Sequence, residues 1–258
     1  MNLGIIERET GRPEQARTNN EVIIATPEAA AAGGFDSPKL QRDLGMGYYN
    51  LARLAASQGD SAGAEKNLRD AVAAFEKLLK TDPRDLANQG LLIVCYRTLA
   101  DVASKSKGDR DSALDLYGKA LRLVERLAWA NPDVPDYQAD LAGLCMNLGL
   151  LHCERGEPDA ALESYRRALD ILKALVDQSP KVARYREDQV KTLWAIADVL
   201  WTPDNPAACA SLEAALEQVQ ALIQQFPENQ RYRKQSEIIE GRLQAAKSKR
   251  QGNLRKTR

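Results

Sequence analysis

Two kinds of helix-breaking residue recur along this chain on one period. Pro83, Pro132, Pro180 and Pro227 are separated by 49, 48 and 47 residues. Gly11, Gly59, Gly108 and Gly156 are separated by 48, 49 and 48. In three consecutive units the glycine precedes the proline by the same 24 residues. Two independent markers on a common period mean that the 258-residue chain is built from copies of one unit. Such copies bury their apolar faces by stacking on their neighbours.

Each unit reads as two helices. A short polar stretch follows each proline, and then an apolar-periodic segment of about twenty residues ends at Gly-Asp or Gly-Glu, as helix C-termini prefer. A second segment follows, such as PDAALESYRRALDILKALV, whose apolar residues recur at three and four. That is the stripe of an amphipathic helix. Aromatic residues make up only 5% of the chain, and no segment alternates as a strand does. The predicted fold class is all-α, a right-handed superhelical solenoid of antiparallel helix pairs. Its expected divisions are a partial, degenerate repeat and loop over 1–36, with four long repeats over 37–230 (37–85, 86–135, 136–183 and 184–230). A capping helix over 231–247 and a basic, flexible tail over 248–258 follow.

Landmarks inside the units carry a resemblance. The clearest copy has Cys145, Leu148-Gly149, His152, Gly156, Ala161, Tyr165 and Ala168-Leu169. The copy before it has Tyr96, Leu99-Ala100, Ala103, Gly108, Ala113, Tyr117 and Ala120-Leu121. The first full copy has Tyr48, Leu51-Ala52, Ala55, Gly59, Ala64, Leu68 and Ala71. The last has Leu193, Ile196-Ala197, Leu200, Leu212 and Ala215-Leu216. This pattern resembles the tetratricopeptide repeat (TPR), with a unit of about 48 residues against the usual 34. The surplus is about two turns on each helix. Small residues at Gly149, Ala161 and Ala168 are expected to let the two helices approach, with Tyr165 and its equivalents filling the space between neighbouring pairs. Residues 131–141 (NPDVPDYQADL), then Asn147-Leu148-Gly149 and Gly156-Glu157-Pro158, look like the long TPR tails that follow serine/threonine kinase domains in Planctomycetes-type bacteria.

Both ends depart from the repeat. MNLGIIERETGRPEQA aligns with MNLGLLHCERGEPDAA at a constant offset of 145, so the chain is expected to begin inside a first helix. A fragment, a misassigned start and a longer ancestor all fit that observation. The incomplete half-repeat would expose an apolar face, and self-association through it is one expectation. At the other end, RYRKQSEIIEGRLQAAKSKR reads as a further helix over the last repeat. From Arg242 to Arg258 there are seven Lys/Arg and no acid, against 29 Lys/Arg and 36 Asp/Glu before them. A solvated tail is the expectation for this stretch, and contact with nucleic acid or an anionic membrane is disfavoured.

Catalytic motifs are absent from the sequence. There is no Gly-rich phosphate loop followed by kinase aspartates, no G-x-x-x-x-G-K-[ST] and no G-x-S-x-G. His152 is the one histidine, which excludes any site needing two. It stands at a repeat packing position. Cys95, Cys145, Cys153 and Cys209 form no C-x-x-C pair, so a zinc or redox site is not expected. No enzyme activity, metal or cofactor is expected. The longest apolar run, residues 91–96, is far short of the roughly 20 residues that span a bilayer. Charge at Glu7 breaks any leader core, and cytoplasmic placement is the expectation.

Function is then expected to come from shape. The TPR resemblance implies a concave groove lined by the first helix of each pair. Carried onto this sequence, its positions are Met46, Tyr49, Arg53, Ala56 and Ser57, then Val94, Arg97, Asp101, Ser104 and Lys105. They continue with Gly143, Met146, Leu150, Cys153 and Glu154, and end with Lys191, Trp194, Asp198, Trp201 and Thr202. The candidate binding residues among them are Tyr49, Arg53, Arg97, Asp101, Lys105, Met146, Leu150, Glu154, Lys191, Trp194, Asp198 and Trp201. Exposed aromatic and Met side chains mark binding surfaces. Trp194 and Trp201 have a second reading, as residues that pack on the terminal helix. Trp129, late in a second helix, is expected in the core. TPRs that grip C-terminal carboxylates carry a Lys/Asn-rich clamp at these positions, and Tyr49/Arg53, Arg97/Asp101 and Met146/Leu150 replace it. The expected partner is therefore an apolar or amphipathic protein segment, a helix in the groove or an extended peptide.

Overall fold

The computed structural model describes residues 37–105, 109–202 and 205–256, the last eleven of them as backbone alone. The expected half-repeat over 1–36, with its self-association face, lies outside them, as do the side chains of the basic tail. Among the described residues there is no strand. Nine helices occur there, and eight form antiparallel pairs: α1 (Pro38–Ser57) with α2 (Ser61–Thr81), α3 (Leu86–Lys105) with α4 (Arg110–Ala130), α5 (Pro135–Arg155) with α6 (Pro158–Gln178), and α7 (Ala183–Val199) with α8 (Pro206–Gln225). The ninth, α9 (Gln230–Lys256), packs on α8. The architecture is an all-α, TPR-like repeat solenoid. The chain divides into two compact units between Leu127 and Ala128.

The periodic prolines sit in turns. In each, the residue before the proline accepts a hydrogen bond from the residue three further on: Asp85 N–H to Asp82 O (3.3 Å), Val134 to Asn131 (3.1 Å), Val182 to Ser179 (3.1 Å) and Asn229 to Phe226 (3.0 Å). Proline at the second place of such a turn has its φ preset and no donor to waste. The hairpin bends use other devices. Gly59 and Gly156 adopt φ of 80° and 75°, the left-handed region that ends a helix and that a Cβ disfavours. Second helices then restart on caps. Asp60 accepts from the Gly63 N–H at 2.8 Å, and Asn205 from the Ala207 N–H at 2.9 Å. Pro158 and Pro206 stand in the first turn of their helices, where a missing N–H costs little.

The core of each pair forms where small residues meet large ones. Ala64, Ala100, Ala113, Ala120, Ala142, Ala161, Ala168, Ala197 and Ala215 are fully buried. A Cβ on Gly149 would stand 2.6 Å from the ring of Tyr165, and one on Gly45 would stand 2.8 Å from the ring of Phe75. Those two glycines are small because an aromatic ring occupies their side-chain space. Terminal helix α9 closes the last pair with Tyr232, Ile239 and Leu243, spaced seven and four apart on one stripe. The Tyr232 hydroxyl donates to Glu187 at 2.6 Å.

One core expectation is corrected. Trp129 is 87% exposed. The buried stripe of α4 runs through Ala113, Tyr117, Ala120, Val124, Leu127 and Ala128, and the next helical step of about 100° carries residue 129 off that face. His152 is half-buried, with Nδ1 2.6 Å from a Glu157 carboxylate oxygen. Glu157 also accepts from Arg155 Nε at 2.9 Å. These bonds, that of His152 foremost, hold the Glu157 carboxyl below its ordinary range. The only histidine thus ties down the helix end.

Two predictions follow from this packing. Gly149→Ala gains about 1 kcal/mol of helix propensity, but it drives a methyl group into the buried Tyr165 ring, at a cost of about 1–3 kcal/mol. The clash is expected to win or break even, so thermal unfolding should show a melting point unchanged or lower by several degrees; a higher one would refute the close approach. The second concerns alkali. Burial pushes the Cys95 thiol from 9.0 to about 12. Because the folded value is raised, this stabilisation is complete below pH 9 and is lost as pH rises toward 12. Urea unfolding at pH 8 and pH 10.5 should show the native chain losing on the order of 1–2 kcal/mol more than Cys95→Ala; equal losses would place that thiol in contact with water.

Candidate functional site

In the first unit, Tyr49, Arg53, Arg97, Asp101 and Lys105 lie on α1 and α3, the first helices of their pairs. The Arg53 guanidinium stands 5.8 Å from the centre of the Tyr49 ring. Asp101 accepts a hydrogen bond from the buried Tyr117 hydroxyl of α4. Burial raises the Asp101 carboxyl, against the pull of that bond and of Arg97 and Lys105. Asp101 therefore serves the packing of its own pair as well as the surface.

The second unit holds an apolar cavity of about 560 Å³. Leu150 of α5 and Trp194 of α7 line it, and Ala195 and Val199 extend the α7 side. Tyr165 of α6 and Cys153 of α5 also line it, and Gly156 and Pro158 of the hairpin bend complete the wall. Among the described residues, Asp198 is the charged one lining it. Leu150 is 56% exposed, and a large aliphatic group that wet at the mouth of an apolar cavity is available to a partner. The Cys153 sulfur stands 4.0 Å from the Tyr165 hydroxyl. Burial holds both groups above their ordinary pKa, with the carboxylates of Asp198 and Glu154 adding to the effect. Neither is activated for chemistry at neutral pH.

Three of the sequence-predicted residues, Leu150, Trp194 and Asp198, thus meet at one cavity. Trp201 joins Trp194 and Asp198 in a second contact. Arg242 of α9 lies 4.7 Å from the ring centre of Trp194 and 4.2 Å from that of Trp201, and it forms an ion pair with Asp198. Both tryptophans pack on the terminal helix, the second of their two readings, and Trp194 also lines the cavity. Other candidates lie elsewhere. Lys191 is paired with Asp188 of its own helix at 2.8 Å. Met146 is partly buried against the cluster of Ala139, Leu172, Leu175 and Tyr185. Glu154 is exposed beside Cys153. Groove positions alone do not name Tyr165, which stands at a recognised packing position and lines the cavity, nor Arg242, which contacts two of the lining residues. A second cavity, of about 460 Å³, is polar and lined by Lys173, Asp177, Arg186, Gln189 and Gln218 among others. Its Arg186 donates to Gln218 at 2.7 Å.

Among the described residues no three His, Cys, Asp or Glu side chains are placed to hold a metal ion. No helix there is long and apolar enough to cross a membrane.

Residues 46–85 and 141–180 match the tetratricopeptide repeat family model. No curated protein matches the chain. Solved structures are similar to the chain at low identity. BtubC (BKLC) from P. vanneervenii is 18% identical over 93% of this chain and 92% of its own, with a TM-score of 0.50. The Rap conjugation gene regulator of plasmid pLS20, in complex with the Phr* peptide, is 16% identical over 92% of this chain and 55% of its own, with a TM-score of 0.52. TTC0263, a thermophilic TPR protein of Thermus thermophilus, is 21% identical over 92% of this chain and 95% of its own, with a TM-score of 0.41.

Proposed function

We propose that this TPR-like chain is a non-enzymatic interaction scaffold that binds a protein segment through the first-helix face of its second unit. The cavity between Leu150 and Trp194 carries this reading. It is apolar and formed by helices held on both sides by a packed core, so it costs little ordering on the receptor side. Its volume suits one or two apolar side chains of a peptide or helix, with the Asp198 carboxylate as the polar fixing point at its wall. Peptide binding has a precedent on this fold in the Rap regulator, which is seen in complex with Phr*; here the support is the cavity itself.

A peptide library displayed on phage and selected against the intact chain tests this directly. Selected peptides, titrated by calorimetry, should bind Leu150→Asp at least tenfold more weakly. That is the order expected when an apolar contact worth about 1.5–3 kcal/mol is replaced by a charge. Leu150 is exposed, so helicity and melting point should stay within about 2 °C. Failure to select any peptide, or equal affinity for both proteins, would overturn the reading.

A second reading makes the chain a sensory or docking region derived from a bacterial serine/threonine kinase. It is favoured by the succession of residues 131–141, Asn147-Leu148-Gly149 and Gly156-Glu157-Pro158. An in-frame kinase domain encoded upstream of Met1 would support it, and a ribosome-binding site directly before Met1 would count against it.

A further inference from the structure

The cavity has a wall that its own helices do not hold alone. Trp194 and Asp198 stand one turn apart near the end of α7, and Trp201 follows just past the last helical residue. All three converge on one guanidinium, that of Arg242. Arg242 belongs to α9, 41 residues beyond Trp201 in sequence, and it is not among the residues lining the cavity. Its side chain is 23% exposed, while that of Asp198 is 47% exposed. The geometry therefore places a cation between two indole rings, with a carboxylate beside it. Two of those three partners, Trp194 and Asp198, are also cavity wall.

We infer that Arg242 is a positioning residue for the cavity: α9 fixes the rotamers of Trp194 and Asp198 from behind and so determines which side chains the cavity accepts. The physical basis is the planar fork of arginine, which stacks on aromatic faces while donating in plane to a carboxylate. An indole with no guanidinium stacked on it has more than one rotamer open to it at the end of a helix, and each gives the cavity a different floor. Packing along Tyr232, Ile239 and Leu243 sets the register of α9, and that register brings Arg242 to the clamp. The specificity claim rests on the cavity being the binding site; the claim that α9 holds its wall does not.

Cys153 supplies a readout that needs no partner, because its thiol lines the same cavity. The double variant Arg242→Ala/Asp198→Asn removes the clamp; because the Asp198 carboxylate also raises the Cys153 thiol, its labelling rate is compared with that of Asp198→Asn, which removes the same carboxylate and leaves Arg242 stacked on the indoles. In the intact chain, N-ethylmaleimide labelling followed by mass mapping of the cysteines should show Cys153 modified at least fivefold faster in the double variant than in Asp198→Asn. Arg242→Lys, which keeps the cation but loses the planar fork, should fall between the native rate and that of the double variant. Cys209 of α8, partly buried in the same cluster, should keep its native rate. A Cys153 rate in the double variant equal to that in Asp198→Asn, or equal acceleration at Cys153 and Cys209, would overturn the inference, the second by showing general loosening. Where a phage-selected peptide is in hand, Arg242→Ala should weaken it about fivefold; accelerated labelling with unchanged peptide affinity would remove the specificity role.

Discussion

The structure depends on the distance between the two helices of a pair. Where α5 meets α6, the hydrogen of Gly149 faces the edge of the Tyr165 ring, and a Cβ there would stand 2.6 Å from it. Buried alanines on both helices keep the remaining contact close. This approach lets a single aromatic residue on the second helix reach through to the first-helix face. Tyr165 is 4% exposed and still lines the cavity. A bulkier residue at position 149 would push the helices apart and withdraw that ring from the site. Core packing and the surface offered to a partner are thus set by the same small residue.

Much of this was legible in the sequence because its causes are local. A proline at the second place of a turn and a glycine at positive φ act within three or four residues. Pro132 and Gly156 can therefore be assigned from the sequence alone. The small-to-large pairing of Gly149 and Tyr165 could be read because the repeat supplies its register. Trp129 could not be placed the same way. The apolar face of α4 ends at Ala128, and one residue of phase decides between core and solvent. Arg242 lay beyond reach for another reason. Its partners are set by the register of α9 on the last pair, and no local periodicity reports that register. The tryptophans could be named as candidates, while the cation between them belongs to tertiary structure.

Comparison of equivalent repeat positions shows why the cavity arises where it does. Tyr117 and Tyr165 occupy the same place on the second helix of successive repeats, and both are buried. In the first unit the Tyr117 hydroxyl donates to Asp101, a carboxylate that burial makes costlier to charge. In the second unit the residue equivalent to Asp101 is Leu150, which cannot accept that bond, and the Tyr165 hydroxyl stands 4.0 Å from the weak partner Cys153. A hydroxyl bonded to an aspartate has its polar partner inside its own pair. A hydroxyl left beside a thiol and a leucine leaves an apolar hollow. The change from Asp101 to Leu150 therefore converts an internal hydrogen bond into a surface able to gain from burying a partner's apolar group. At this first-helix position the two units differ: Asp101 is bonded within its own pair, and Leu150 lines an apolar cavity.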